Sequence, residues 1–213
     1  MFAPLQLLIR SPERLLTCDL LRESVTRWNR YRMVAQWLAP AWRPSLQGVD
    51  LSSANLARAN LRAADLSGAD LSDADLSGAD LSSALLGGAY LIHGDLRGAY
   101  LDHVDARHAD FTGADLREAR IRVRADFRHA NLSQATLREA RLRGVDFRQA
   151  FFHAADLTEA DLRGANFHGA DVFGATFDAA RVSQRTDLRA VNLSGAQAQS
   201  VRRDQSGSLL MLP

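Results

Sequence analysis

The chain contains no lysine: all 26 of its basic residues are arginine. That excludes a Schiff-base lysine and the lysine of a phosphate-binding P-loop. A genome biased toward arginine codons accounts for the absence. So does a surface selected for the planar, two-pronged carboxylate or phosphate contacts that arginine makes and lysine does not. Cysteine is nearly missing too. With Cys18 alone among 213 residues, no intramolecular disulfide can form, and a reducing compartment is expected. No apolar run approaches the roughly 18–20 residues of a membrane span. The apolar start, Met1 to Ile9, lacks a basic leader region and a small-residue cleavage site, and Arg10 cuts it short. A cytoplasmic protein is therefore expected. Neither sign of charge dominates: the formal net charge is +1, so no bulk attraction to nucleic acid or an anionic membrane is expected. Gly-x-Ser-x-Gly, phosphate-loop and His-Glu-x-x-His motifs are all absent.

What the chain does have is a period of five. From about Leu46 to Leu193 every fifth residue is bulky and apolar, and the residue two places earlier is nearly always alanine. Ala64-Asp65-Leu66-Ser67-Gly68, Ala69-Asp70-Leu71-Ser72-Asp73 and Ala74-Asp75-Leu76-Ser77-Gly78 are consecutive examples. Five fits neither the 3.6 of a helix nor the 2.0 of a plain strand, so it marks a repeat architecture. The period slips to six after Ile121, reaching Phe127, and after Val182, reaching Leu188. Each slip is expected to add one residue at a corner without unwinding the repeat.

Three segments follow. Residues 1–45 do not repeat. Ser11-Pro12-Glu13 reads as a helix start, and Cys18, Leu21, Val25, Trp28, Ala35 and Leu38 recur at helical spacing up to Pro40. This predicts one amphipathic helix with a basic face of Arg14, Arg22, Arg27, Arg30 and Arg32, covering the first coil as a cap or offering its tryptophans, Trp28, Trp37 and Trp42, to a partner or a membrane surface. Residues 46–195 are the repeat block. Residues 196–213 form a tail, read as a cap or a dimer contact.

Within each repeat the large apolar residue and the alanine alternate inward, and the intervening Asp or Asn points outward. The fifth position is often glycine, for example Gly68, Gly78, Gly113 and Gly164, as expected where the backbone turns sharply.

The motif [Ala/Val]-[Asp/Asn]-[Leu/Phe]-X-Gly resembles the pentapeptide-repeat family over about 150 residues and some thirty copies. The resemblance implies an all-β solenoid: a right-handed quadrilateral parallel β-helix of about seven coils, here with an N-terminal α-helix. At roughly 4.8 Å per coil that is a rod on the order of 35 Å long. Well-understood members of the family protect DNA gyrase by imitating duplex DNA, often as end-to-end dimers. That implies a protein partner, with gyrase or a topoisomerase as the named alternative, and a homodimer through a terminus.

Four repeats per coil make residues 20 apart stack, so outward positions form columns. Asp105, Asp126, Asp146 and Asp187 share one column, with Arg107, Arg128, Arg148 and Arg189 beside them. An ion-pair ladder is expected there. Arg120, Arg122, Arg141, Arg143, Arg163 and Arg181 gather on another face against Asp161 alone, a basic stripe suited to an acidic partner. Tyr90, Ile92, Phe151 and Phe173 take outward positions on a third face, an apolar stripe suited to a partner or a second copy. The early coils are acid-rich, with twelve acidic and six basic residues from Leu46 to Arg120. Asp65, Asp70, Asp75, Asp80, Asp95, Asp105, Asp110 and Asp115 form the candidate DNA-mimicking surface. His108 and His129 are expected to stack at a corner, but zinc needs three or four ligands and no third is placed beside them. The aspartates recur with the repeat rather than pairing in a pocket. Asn131-Leu132-Ser133 and Asn192-Leu193-Ser194 match glycosylation sequons as by-products of the repeat. No catalysis, cofactor or metal is expected. The sequence thus reads as a non-catalytic protein-interaction rod, with gyrase binding and a helix-docked structural adaptor as alternatives.

Overall fold

The computed structural model describes residues 20–38, 42–122, 124–191, 201–203 and 209–211. The expected helix start at Ser11, Cys18 and the stop at Pro40 lie outside them, as does Gly195.

Between Ser45 and Asp187 each outward residue forms a parallel bridge with the residue 20 further on, as in Ser45↔Asp65 and Asp70↔Tyr90. The offset becomes 21 from Asp105↔Asp126 to Arg120↔Arg141, and again at Asn166↔Asp187. The two six-residue steps therefore shift the register by one and leave the winding intact. Both fall at the same corner. Each rung carries a pair of backbone bonds: Leu71 N donates to Tyr90 O at 2.7 Å, and Tyr90 N donates to Ala69 O at 2.9 Å. Four such rungs complete each turn of the coil, so the rod has four outward columns.

The strands never lengthen because the chain turns after every side. Ala69 N returns to Leu66 O at 3.0 Å, and Gly68 between them has φ +64°, the positive value a type II turn requires at its third residue. The glycine expectation holds at only part of the corners. Among the described residues ten glycines take a positive φ, but so do eighteen other residues, including Glu118, Glu139 and Glu159. Left-handed backbone costs an L-residue roughly 1–2 kcal/mol. It persists here because the rungs on either side of each corner fix the path of the chain.

The interior is alanine and leucine in the early coils, fully buried, and takes on phenylalanine later. Volume is balanced within a coil. Ala106 stands where a large residue is usual, and Phe111, on the next side, is buried with its ring 5.4 Å from Phe127. Phe147 lies 5.5, 5.1 and 5.0 Å from Phe127, Phe152 and Phe167. The next coil pairs Phe167 and Phe177 with Val172 and Val182. Close packing requires that compensation.

Helix α1 spans Val25–Leu38. The expected single helix is interrupted at Ser24. Residues 20–23 are helical, and Ser24 then caps α1: its carbonyl accepts from Trp28 N at 2.9 Å and its Oγ from Arg27 N at 3.3 Å. Side chains of α1 meet the first coil, whose backbone has no preceding coil to bond. Asn29 imitates a missing rung, its Oδ1 accepting from Asn60 N at 2.7 Å and its Nδ2 donating to Arg58 O at 3.0 Å. Trp28 Nε1 donates to Asn60 O at 2.8 Å, and Arg32 reaches Asn60 O and Arg62 O. Trp28 is therefore buried rather than displayed, and Arg32, expected on the polar face, is buried between Trp28 and Trp42. The orphan carbonyls and the aromatic faces together hold that guanidinium. In the tail, β1 (Val201–Arg203) pairs antiparallel with β2 (Leu209–Met211). No helix among the described residues is long and apolar enough to cross a membrane.

Candidate protein-binding faces

The outward aspartate is first a local device. Ser67, Ser72, Ser77 and Ser82 each donate their backbone N–H to Oδ1 of Asp65, Asp70, Asp75 and Asp80, two residues earlier, at 2.9–3.1 Å. Asp or Asn can make this bond and the longer Glu cannot, because the side chain must fold back onto its own turn. In sequence these residues show only as outward charges. The signal of a further role is that glutamate never occupies the position.

Two faces carry ion-pair ladders. On one, Arg107, Arg128, Arg148 and Arg189 each grip the aspartate two residues earlier with Nε and a terminal nitrogen, at 2.7–2.9 Å. Arg107 and Arg128 also reach the next coil, to Asp126 at 3.7 Å and Asp146 at 3.9 Å. Opposite it, Arg97 and Arg117 hold Asp95 and Asp115, while Arg138 reaches across to Asp156 at 3.3 Å. The Arg189 hydrogen bond holds the Asp187 carboxyl down to about 2, and Arg97 and Arg107 lower Asp95 and Asp105 in the same way. These arginines are 36–80% exposed, so each pair adds little stability.

The arginine face differs in kind. Tyr100, Arg120, Arg141, Asp161 and Arg181 bridge in succession down one column. Arg120 lies over the Tyr100 ring at 4.8 Å. Among the described residues Arg120, Arg141 and Arg181 have no carboxylate within ion-pair distance. Arg120 and Arg141 are direct neighbours, a like-charge pair that opposes folding. The expected partner set needs correction, because Asp161 is not alone. Arg143 and Arg163 both hold Asp161, at 2.5 and 2.7 Å, and Arg122 holds Asp102 at 3.2 Å. Glu139 and Glu159 stand on the adjoining corner. Together Arg122, Arg141, Arg143 and Arg181 line an open recess of about 390 Å³ with Glu139, Glu159 and Asp161. The stripe is thus a mixed recess with an excess of one cation. Arg122 Nε is buried there without a partner. The corner glutamates were missed because the fifth repeat position was read for glycine alone.

The aromatic residues separate into two groups on one face. Tyr90 is 51% exposed, with Ile92 half-buried beside it. Phe151 is 46% and Phe173 65% exposed, three and four rungs further along. Asp110 and Asn131 intervene, so they do not make the continuous apolar stripe that was expected. The candidate mimic acids also divide. Asp65, Asp70, Asp75 and Asp80 lie on four successive sides and so encircle one coil. Asp75, Asp95 and Asp115 stack in one column, and arginine already holds Asp95, Asp105 and Asp115. His108 and His129 stack face to face, 4.8 Å apart and 2° from parallel. Among the described residues no three His, Cys, Asp or Glu side chains converge on a point where a metal ion would sit.

A family model described as pentapeptide repeats matches eight copies, over residues 45–82, 84–122, 123–158 and 140–178. Among solved structures the chain is similar to HetL, a pentapeptide repeat protein involved in heterocyst differentiation regulation from Nostoc sp. strain PCC 7120. The two are 33% identical over 70% of each chain, with a TM-score of 0.43. It is also similar to a trypsin-treated variant of QnrB1, a plasmid-mediated fluoroquinolone resistance protein, at 22% identity over 72% of this chain and 86% of that one, with a TM-score of 0.43. No curated protein matches the chain.

Proposed function

The chain belongs to the pentapeptide-repeat family, and we propose that it is a non-catalytic, cytoplasmic interaction rod that docks an acidic protein partner on its arginine face. The rod is right-handed and about seven coils long. One observation carries the reading: Arg120, Arg141 and Arg181 occupy the outward position that the motif gives to aspartate, and among the described residues none of them has a carboxylate within ion-pair distance, Asp161 between the last two being held by Arg143 and Arg163. Arg120 stacks directly on Arg141, a like-charge pair that costs folding energy, and a use outside the fold accounts for it. Arginine's planar fork suits a partner carboxylate, and the neighbouring Glu139 and Glu159 would reject a partner of the wrong charge pattern.

Affinity isolation from the native cell extract tests this, with the wild type beside an Arg141→Asp/Arg181→Asp variant. The expected result is a partner retained by the wild type at low salt and lost both in the variant and at high salt. Identical capture by the two proteins would remove the reading.

A second reading is gyrase or topoisomerase binding through the acid-rich early coils. It is favoured by Asp65, Asp70, Asp75 and Asp80, which form no ion pair with an arginine among the described residues. A supercoiling assay with added fluoroquinolone decides it: neither protection nor inhibition at micromolar protein excludes it.

A further inference from the structure

One face carries the exposed aromatics Tyr90, Phe151 and Phe173. Its outward column reads Tyr90, Asp110, Asn131, Phe151, each bridged to the next. The pattern is aromatic, polar, polar, aromatic, and it is palindromic about the midpoint between Asp110 and Asn131. The second outward position, two residues on, follows it with Ile92, Thr112, Ser133 and His153. We propose that this face binds a second copy of the chain side by side and antiparallel, about a two-fold axis at that midpoint.

A two-fold axis across the rod places each residue opposite its mirror in the palindrome, as an interface between identical surfaces requires. Tyr90 then meets the partner copy's Phe151, and Ile92 meets its His153. Asp110 meets Asn131 twice by symmetry, an amide donor against a carboxylate. Asn131 Nδ2 spends one hydrogen on Thr112 Oγ1 at 2.8 Å and keeps the other for that contact. Phe151 and Phe173, 46% and 65% exposed, gain the cover their own coil does not give. The rungs from Asp70 to Asp171 overlap, burying about 900 Å² in total at 4.8 Å per rung and a side some 16 Å wide, the size of a weak, reversible interface, and at each end Asp70 meets the other copy's Asp171, a like-charge contact that weakens it further.

Sedimentation of the full chain from about 5 to 500 μM, spanning the range of a weak interface, is the test. The wild type should pass from monomer to dimer. Phe151→Asn and Tyr90→Asp, which install residues the same column already holds, should stay monomeric with unchanged circular dichroism. A wild type that remains monomeric, or variants that still dimerise, would overturn the proposal; the latter is also the outcome of an end-to-end contact. Geometry is tested in a Cys18→Ser background. Ile92→Cys mixed with His153→Cys should give a disulfide-linked dimer. Neither alone should, because like positions lie three rungs, about 14 Å, apart along the face, beyond disulfide reach. Cross-linking of either variant with itself, or none in the mixture, rules out the antiparallel register.

Discussion

An aspartate at the outward position serves the turn before it serves any partner. The backbone N–H two residues on has no other acceptor, so the carboxylate oxygen that receives it is structural. Asn can replace Asp in that role and Ala cannot. Asp75→Asn should therefore leave chemical denaturation unchanged, while Asp75→Ala should cost about 1 kcal/mol. Asp187 carries the Arg189 fork in addition. Its folded value, about 2, lies below the roughly 3.9 of an unfolded aspartate, so its contribution is complete above pH 4 and is lost as pH falls through 2. A side-chain NMR titration should find its midpoint near 2, and an Arg189→Gln variant should move it upward. At the corners, Gly68→Ala meets open space and should cost about 1 kcal/mol for its positive φ alone. Gly113→Ala should cost the same and also displace the His93 ring, which stands where the new methyl would go. The identity of the outward residue was plain in the sequence. Its purpose was not, because an Asx bond depends on a turn geometry that a spacing of five does not reveal.

At the scale of elements, α1 acts as a substitute coil. Asn29 alone satisfies one donor and one acceptor of the first coil. Asn29→Ala should leave Asn60 N unsatisfied and speed its hydrogen exchange, with rungs deep in the rod unaffected. In the core, Phe147 touches three other rings, and Phe147→Ala should cost about 3–5 kcal/mol in a denaturation series. The period of five made the coil and its register legible, down to the two six-residue steps. The helix was legible in its amphipathic spacing, but its contacts were not. Arg32 reads as a solvated charge in sequence and is buried only because two tryptophans and two orphan carbonyls converge on it. The ladders of Asp and Arg were legible because stacking follows directly from the count of twenty. The glutamates of the arginine recess were not, since a corner residue's direction depends on its left-handed backbone.

The whole molecule is a rod whose charges are mostly spent on itself. On two faces arginine and aspartate cancel, on a third two aromatic groups flank a polar centre, and on the fourth three guanidiniums have no carboxylate within ion-pair distance among the described residues. A uniform acidic imitation of DNA would need the aspartates free, and arginine holds several of those proposed for it. On this reading Arg120, Arg141 and Arg181 are the docking groups. The most direct measurement is an NMR titration of the rod with a short polyglutamate peptide, following the arginine Nε–H signals. Salt-sensitive shifts are expected at Arg120, Arg141 and Arg181, with Arg107, Arg128 and Arg148 unmoved in the grip of their own aspartates. Equal shifts at both sets, or none at Arg141 and Arg181, would contradict it.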